Sequence, residues 1–147
     1  MKEYLLHFVD DRFTVEALVF GKREGNQLEQ EIERQGVKIT YLPELYKDSA
    51  CYSSIFRRVL NSLKWRKALR AFFSERPNSI VHCHTHVMGT LLSAKKELVG
   101  SKLFYTVHSN PDKYWADGKN QKELDALRYF IKNRNLTVIA LTEEAVI

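Results

Sequence analysis

The sequence predicts an α/β protein with a Rossmann-like, mainly parallel sheet and helices on both faces. Stretches rich in β-branched and aromatic residues alternate with stretches of helical length and pattern along the chain. At 147 residues, 44% of them hydrophobic, the chain is long enough to bury one ordinary core. Because strands connected through helices run parallel, we expect one domain of this kind over residues 1–147.

Five strands are expected, and each has turn-forming or polar residues at its ends. They cover 13–20, 37–42, 79–84, 102–108 and 137–141. The first is expected to be buried, because FTVEALVF is β-branched and aromatic. Pro43 is expected to end the second.

Four helices are expected between these strands, over 24–36, 52–74, 87–98 and 124–133. In the first, Leu28 and Ile32 lie four residues apart on one face, and Gly36 provides a glycine stop. Both chain ends look truncated. Leu5, Leu6 and Val9 resemble the end of a helix, and TEEAVI begins another that stops after about one turn.

Charge and cysteine content restrict the partners and the compartment. The formal net charge of +5 fits an anionic partner such as phosphate, nucleic acid or a membrane surface. The two cysteines lie in unlike contexts, which argues against a disulfide framework and favours a reducing cytosol. We find no signal peptide and no run of about 18 apolar residues, so any membrane contact is expected to be peripheral.

The stretch IVHCHTHVMG places histidines at alternate positions at the end of the third strand. Because side chains alternate along a strand, His82 and His84 share one face and Cys83 takes the other. His84 closes the third strand and His108 closes the fourth. Ligands of open parallel sheets bind at the carboxyl ends of the strands, so we expect both imidazoles at one ligand-binding edge.

A metal site is the first alternative reading of these histidines. His-x-His supplies at most two of the three or four ligands that zinc requires, and His86, His108 or Asp112 could complete the set. Metal-dependent phosphoesterases and amidohydrolases also need aspartates on later strands, whereas the fifth strand ends in Leu141 and Thr142. A metal-dependent hydrolase therefore stays an alternative, and we assign no metal ligands.

The order and spacing of several short motifs resemble those of one enzyme family. IVHCHTHVMGTLLSAKKELVGSKLFYTVHSNP, then a helix, then LTVIALTEEAV, resembles the amino-terminal domain of GT-B glycosyltransferases of family 4. That family shows a strand D-I-V-H-x-H, a helix rich in small residues, a strand ending T-x-H and a later strand ending S/T-E. DDRFTVEALVFGKREG and GVKITYLP match its second and third strands, so the resemblance covers nearly the whole chain.

The resemblance implies a retaining glycosyltransferase that uses a nucleotide sugar, closest to bacterial enzymes of capsule, exopolysaccharide or lipopolysaccharide synthesis. The chain would be the acceptor-side half of a GT-B fold, without its first strand and glycine-rich loop. The donor-binding carboxyl-terminal domain would be absent, so we expect little or no activity from this chain alone. No tightly bound cofactor is expected. The acceptor would be a sugar or a lipid-linked sugar.

The resemblance also assigns site residues. His108 matches the T-x-H histidine, which lies near the transferred sugar, so it is the candidate catalytic residue. A neutral imidazole there could hydrogen-bond a sugar hydroxyl or stabilise positive charge on the sugar ring. The candidate acceptor-binding residues match the loop after the third strand and the S/T-E pair, and they are His84, Thr85, His86, Thr142 and Glu143.

A basic segment without acidic residues lies between Ser49 and Ser74. Apolar residues at 56, 60, 63, 69, 72 and 73 recur at helical intervals, so we expect the cations largely on the opposite side. Such a helix either packs with a solvated face or lies on anionic lipid at the cytoplasmic face of the plasma membrane. We expect no nucleic-acid binding, since no recognised motif for it is present. The candidate membrane-binding residues are Arg57, Arg58, Lys64, Trp65, Arg66, Lys67 and Arg70.

Overall fold

The computed structural model describes residues 13–46, 55–84, 86–108, 118 and 120–140, together with Leu5 and Val9; for 55–58 and 140 it describes the backbone alone. Contacts divide the chain into two compact units, Met1–Ala68 and Leu69–Ile147. The single domain over residues 1–147 stays a prediction.

The first unit contains a parallel β-α-β arrangement followed by a short helix. Its elements are β1 (Glu16–Val19), α1 (Gln27–Arg34), β2 (Lys38–Tyr41) and α2 (Leu42–Tyr46). β1 and β2 pair in parallel register from Glu16 opposite Lys38 to Val19 opposite Tyr41. The buried cluster of this unit consists of Ile32, Val37, Ile39 and Tyr41, with Leu5, Val9, Val15, Ala17 and Val19 packed against it.

Side-chain and backbone capping explain why α1 begins and ends where it does. The Asn26 side-chain oxygen accepts a hydrogen bond from the Glu29 amide at 2.9 Å, which satisfies one orphan donor of the first turn. Gly36 has φ of +92°, the left-handed conformation that a glycine stop requires. The predicted glycine stop is therefore confirmed. Leu28 and Ile32 both lie in this helix at the predicted spacing, and of the two Ile32 is buried while Leu28 is exposed.

The second unit is built around a three-stranded parallel sheet. α3 (Ile55–Ser74) contains the boundary between the units. It is followed by β3 (Ile80–Cys83), α4 (Met88–Leu91), a 3₁₀-helix (Leu92–Ala94), β4 (Lys102–Val107), α5 (Gln121–Arg134) and β5 (Thr137–Ala140). β4 lies in the middle of the sheet, with β3 on one side and β5 on the other.

Alternate residues of this sheet differ in burial and chemistry. On one face Cys83, Leu103, Tyr105 and Val107 are all buried. The opposite face carries His82, Phe104 and Thr106 together with the exposed Ile80 and Lys102. The buried residues that the helices of this unit contribute include Leu69, Phe72, Phe73, Met88, Leu91, Ala126, Leu127 and Phe130.

The α/β class with parallel strands is confirmed, and the five described strands lie in two sheets, β1-β2 and β3-β4-β5. The first strand is only half-buried, and Phe13 is exposed and outside it, so its predicted burial was wrong. β2 ends at Tyr41, and Pro43 is not the residue that stops it. Pro43 lies in the first turn of α2, where a missing N–H costs no helical hydrogen bond.

The prediction of one continuous helix over 87–98 is also wrong beyond the first turn. After α4 the chain tightens into a 3₁₀-helix and then turns from 95 to 100. The amides of Lys95 and Glu97 donate to the carbonyls of Leu92 and Ala94, three residues back, which is the 3₁₀ pattern. The following helix begins at Gln121, three residues before the predicted start.

The expected helix from Thr142 lies outside the described residues. Within the described part of the chain, no helix is both long enough and apolar enough to span a bilayer.

Candidate functional site

The carboxyl ends of β3 and β4 bring two histidines together. The strands pair in parallel with His82 opposite Phe104, so His84 and His108 each follow the end of a neighbouring strand. The Nδ1 atom of His84 lies 3.4 Å from Nε2 of His108, within hydrogen-bond reach. Their ring centroids are 5.6 Å apart, with 34° between the ring planes. The two imidazoles thus meet at one edge of the sheet, as strand alternation predicts.

A third histidine lies directly behind this pair. The ring of His82 stacks on that of His84, with centroids 4.1 Å apart and 30° between the planes. The Nε2 atom of His82 lies 2.6 Å from the hydroxyl oxygen of Thr106, which is buried on the adjacent strand. His82, His84 and His108 are called the histidine row below. The row runs from the body of the sheet to its carboxyl edge.

Burial keeps the inner imidazoles of the row uncharged near neutral pH. Burial, followed by the charges of His82 and His108, lowers the pKa of His84 to about 4. The pKa of His82 is also lowered, mainly by burial and then by His108. A neutral imidazole has one donor and one acceptor nitrogen, so these rings can exchange hydrogen bonds with hydroxyl groups.

Cys83 is not part of this surface. Its side chain is buried on the opposite face of β3, and burial followed by the charge of Glu123 raises its pKa to about 12. The thiol therefore stays protonated at neutral pH, whereas nucleophilic attack and metal ligation require the thiolate. Among the residues that the structure describes, no group of three or more His, Cys, Asp or Glu side chains is arranged to hold a metal ion.

Glu123 is a site-adjacent residue that the sequence reading missed. Its two carboxylate oxygens accept hydrogen bonds from the amides of Met88 and Gly89, each at 2.7 Å, at the start of α4. A Cβ added to Gly89 would lie 3.2 Å from the nearer carboxylate oxygen, so glycine leaves room for this contact. Nothing local in the sequence indicates the contact, because Glu123 lies 35 residues from Met88.

Thr106 was missed as well, although one signal pointed to it. It is a hydroxyl-bearing residue within the otherwise apolar and aromatic run LFYTV, and it has the same strand parity as His108. A buried hydroxyl needs a hydrogen-bond partner, and the nearest strand on that side carries His82.

Other candidate acceptor residues are described only in part. His86 is exposed, two residues beyond His84 in the turn that precedes α4. Thr85, Thr142 and Glu143 lie outside the described residues, so their assignment stays a prediction.

The candidate membrane-binding residues lie on α3. Lys64, Arg66 and Lys67 are exposed, and the Arg66 guanidinium lies 5.6 Å from the ring centroid of the half-buried Trp65. Arg70 is exposed too, but its Nε donates a hydrogen bond to the Ser93 carbonyl oxygen at 2.8 Å. The side chains of Arg57 and Arg58 lie outside the described set.

The predicted separation of apolar and cationic faces on α3 is wrong for its first half. Val59, Leu60 and Leu63 are 54%, 54% and 57% exposed. One turn further on, Lys64 follows Leu60 and Lys67 follows Leu63 at the i,i+4 spacing that places residues on the same face. Apolar and cationic side chains therefore share the exposed face of this half. The apolar residues that are buried lie in the second half, at Leu69, Phe72 and Phe73.

Comparisons with protein-family models, with curated proteins and with solved structures found no match.

Proposed function

We propose that the chain is the acceptor-side half of a retaining glycosyltransferase of the GT-B type that uses a nucleotide sugar. Its role would lie in the synthesis of a cell-surface polysaccharide or glycolipid, at the cytoplasmic face of the plasma membrane. The acceptor would be a sugar or a lipid-linked sugar, and a separate donor-binding domain would hold the nucleotide sugar. The proposal rests on the motif resemblance together with one geometric observation.

That observation is the contact between His84 and His108 at the carboxyl edge of β3 and β4. In open parallel sheets this edge is where ligands bind. An edge built from imidazoles suits a hydroxyl-rich ligand, since each neutral ring offers both a donor and an acceptor nitrogen. His108 is the exposed member of the pair and is the candidate catalytic residue, while His84 is half-buried behind it.

In the proposed reaction most of the rate enhancement comes from positioning the reactants and stabilising the leaving diphosphate. This chain would supply the first of these. His108 would hydrogen-bond a hydroxyl of the transferred sugar, and His84 would hydrogen-bond the acceptor. The leaving group would be stabilised by the donor-binding domain, so the chain alone is expected to bind sugar without transferring it.

A binding experiment tests this proposal without the donor-binding domain. Glucose, galactose, mannose and N-acetylglucosamine are titrated separately into the ¹⁵N-labelled chain, and the imidazole resonances of His84 and His108 are followed by NMR. We expect saturable shifts with at least one hexose. In His108→Ala the shifts of the His84 resonance should disappear. Lys102→Ala, at an exposed position at the other end of β4, should leave the shifts of both imidazoles unchanged.

The proposal fails if none of the four sugars shifts either imidazole resonance, or if the His84 shifts persist in His108→Ala. Metal analysis of the same purified chain addresses the hydrolase alternative. Stoichiometric zinc or manganese that is lost in His84→Ala would favour a metal-dependent hydrolase over a glycosyltransferase.

A second candidate function, peripheral membrane binding, is favoured by the exposed face of α3. Val59, Leu60 and Leu63 expose more than half of their surface beside the exposed Lys64 and Lys67. Apolar side chains that insert among headgroups, flanked by cations that attract anionic lipid, are the features of an interfacial helix. Each cation near such a surface contributes about 1 kcal/mol of attraction.

Flotation with phosphatidylglycerol-containing vesicles tests this second function. The change of Lys64, Arg66 and Lys67 to glutamate should abolish co-flotation, and added salt should weaken the binding of the unchanged chain. The matched control changes Lys95, Lys96 and Lys122, exposed cations of the second unit, to glutamate. Equal loss in both triple variants would indicate general charge attraction, and unchanged flotation in the first would exclude α3 as the contact.

A further inference from the structure

The inner end of the histidine row is fixed by a buried hydroxyl. Thr106 is 4% exposed, and its hydroxyl oxygen lies 2.6 Å from Nε2 of His82 on the neighbouring strand. A buried hydroxyl without a hydrogen bond carries a large desolvation cost, so this contact is expected to persist. Because Thr is β-branched, its χ1 is also restricted. The hydroxyl of Thr106 therefore contributes to the orientation of the His82 ring.

The orientation of His84 depends in turn on His82. The two rings stack with centroids 4.1 Å apart and 30° between the planes, close enough that one ring cannot rotate without displacing the other. His84 is half-buried, which further limits its free rotation. In this orientation Nδ1 of His84 faces Nε2 of His108 at 3.4 Å. A continuous series of contacts thus leads from the buried hydroxyl to the exposed imidazole.

We propose that Thr106 and His82 are positioning residues, which hold His84 in the orientation that brings its Nδ1 to Nε2 of His108 and so couple the tautomers of the two rings. A neutral imidazole has its single proton on Nδ1 or on Nε2, and its neighbours choose between them. Whichever nitrogen of His84 carries its proton, Nδ1 either donates to or accepts from His108. The importance of this contact for sugar binding rests on the proposed function. Its effect on the tautomers of His84 and His108 does not.

The direct test is the tautomer of each histidine, read from ¹⁵N chemical shifts in long-range ¹H–¹⁵N spectra at pH 7.5. Thr106→Val keeps the shape of the buried side chain and removes the hydroxyl. His82→Phe keeps an aromatic ring against His84 and removes the nitrogen that meets Thr106. In both variants we expect the His84 ring to lose this orientation and with it the hydrogen bond to His108, so that the tautomer ratio of His84 changes by roughly fivefold, the factor that one net hydrogen bond supplies. The ratio of His108 should change with it.

Thr106→Ser is the rescue variant, because it restores the hydroxyl, and its spectrum should match that of the unchanged chain. Lys102→Ala, on the same strand, is the control for a general effect of substitution. A merely structural role for Thr106 would alter the urea midpoint and leave the tautomers as they are. Unchanged ¹⁵N shifts of His84 and His108 in both Thr106→Val and His82→Phe would overturn the inference.

The same variants separate this inference from the proposed function. If the tautomers change but no hexose binds the unchanged chain, the positioning role stands and the glycosyltransferase proposal fails. If a hexose binds and the tautomers do not respond to the variants, the proposed function stands and the positioning role fails.

Discussion

Acidification should destabilise the folded chain through the half-buried His84. Burial places its pKa at about 4 in the folded protein, against an ordinary value of 6.5. Below pH 6.5 the unfolded chain takes up a proton at this ring, which the folded chain resists until about pH 4. Stability from the neutral ring is therefore complete above pH 6.5, falls as the pH drops through this window, and levels off below about pH 4.

The two pKa values set the size of the effect. For a fully shielded ring they give a loss of about 2 kcal/mol in the free energy of unfolding between pH 7 and pH 5. Water at the sheet edge reaches the partly exposed ring of His84 and screens its charge, so we expect a loss of about 1 kcal/mol.

Urea unfolding followed by far-UV circular dichroism at pH 7 and pH 5 measures this loss. Other groups also titrate in this range, so the informative quantity is the difference between variants. His84→Gln should reduce the loss on acidification by about 1 kcal/mol relative to the unchanged chain. The matched control is His86→Gln, which removes an exposed imidazole two residues away. An unaltered pH dependence in His84→Gln, or an equal reduction in His86→Gln, would refute the reasoning.

Three further substitutions test hydrogen bonds and core packing within the individual units, and each is measured through the urea midpoint. Glu123→Ala should lower the free energy of unfolding by about 1 to 3 kcal/mol, because the two amides at the start of α4 lose their acceptor; a wild-type midpoint would show that water replaces the carboxylate without cost. Leu69→Ala, at a fully buried position, should cost about 2 to 5 kcal/mol, and a loss well under this range would mean that the core closes over the cavity. Tyr41→Phe should cost about 1 kcal/mol, because the buried hydroxyl loses its hydrogen bond to Glu29, and an increase in stability would contradict that account.

Local sequence patterns predicted the class of fold and the meeting of two histidines. β-branched runs alternating with helical stretches were sufficient for parallel α/β architecture. The contact between His84 and His108 followed from two rules, namely that side chains alternate along a strand and that parallel strands end at one edge. Neither rule needs knowledge of distant contacts, which is why both worked.

The features that were missed depend on contacts between residues far apart in sequence. Glu123 reaches the amides of α4 from the start of another helix, and no spacing rule marks such a pair. The exposure of Leu60 and Leu63 could not be read from helical spacing either. Periodicity shows which residues share a face of α3, whereas burial depends on what the rest of the chain places against that face.

The bidentate contact of Glu123 has a consequence for ligand selection. In doubly wound proteins the turn between a strand and the following helix commonly holds a phosphate on its free amides. Here the amides of Met88 and Gly89 already bind a carboxylate that belongs to the chain itself. A phosphorylated molecule that approached these two amides would meet the carboxylate of Glu123. While Glu123 holds these two amides they are not open to a ligand, so the phosphates of a nucleotide sugar would have to be bound elsewhere.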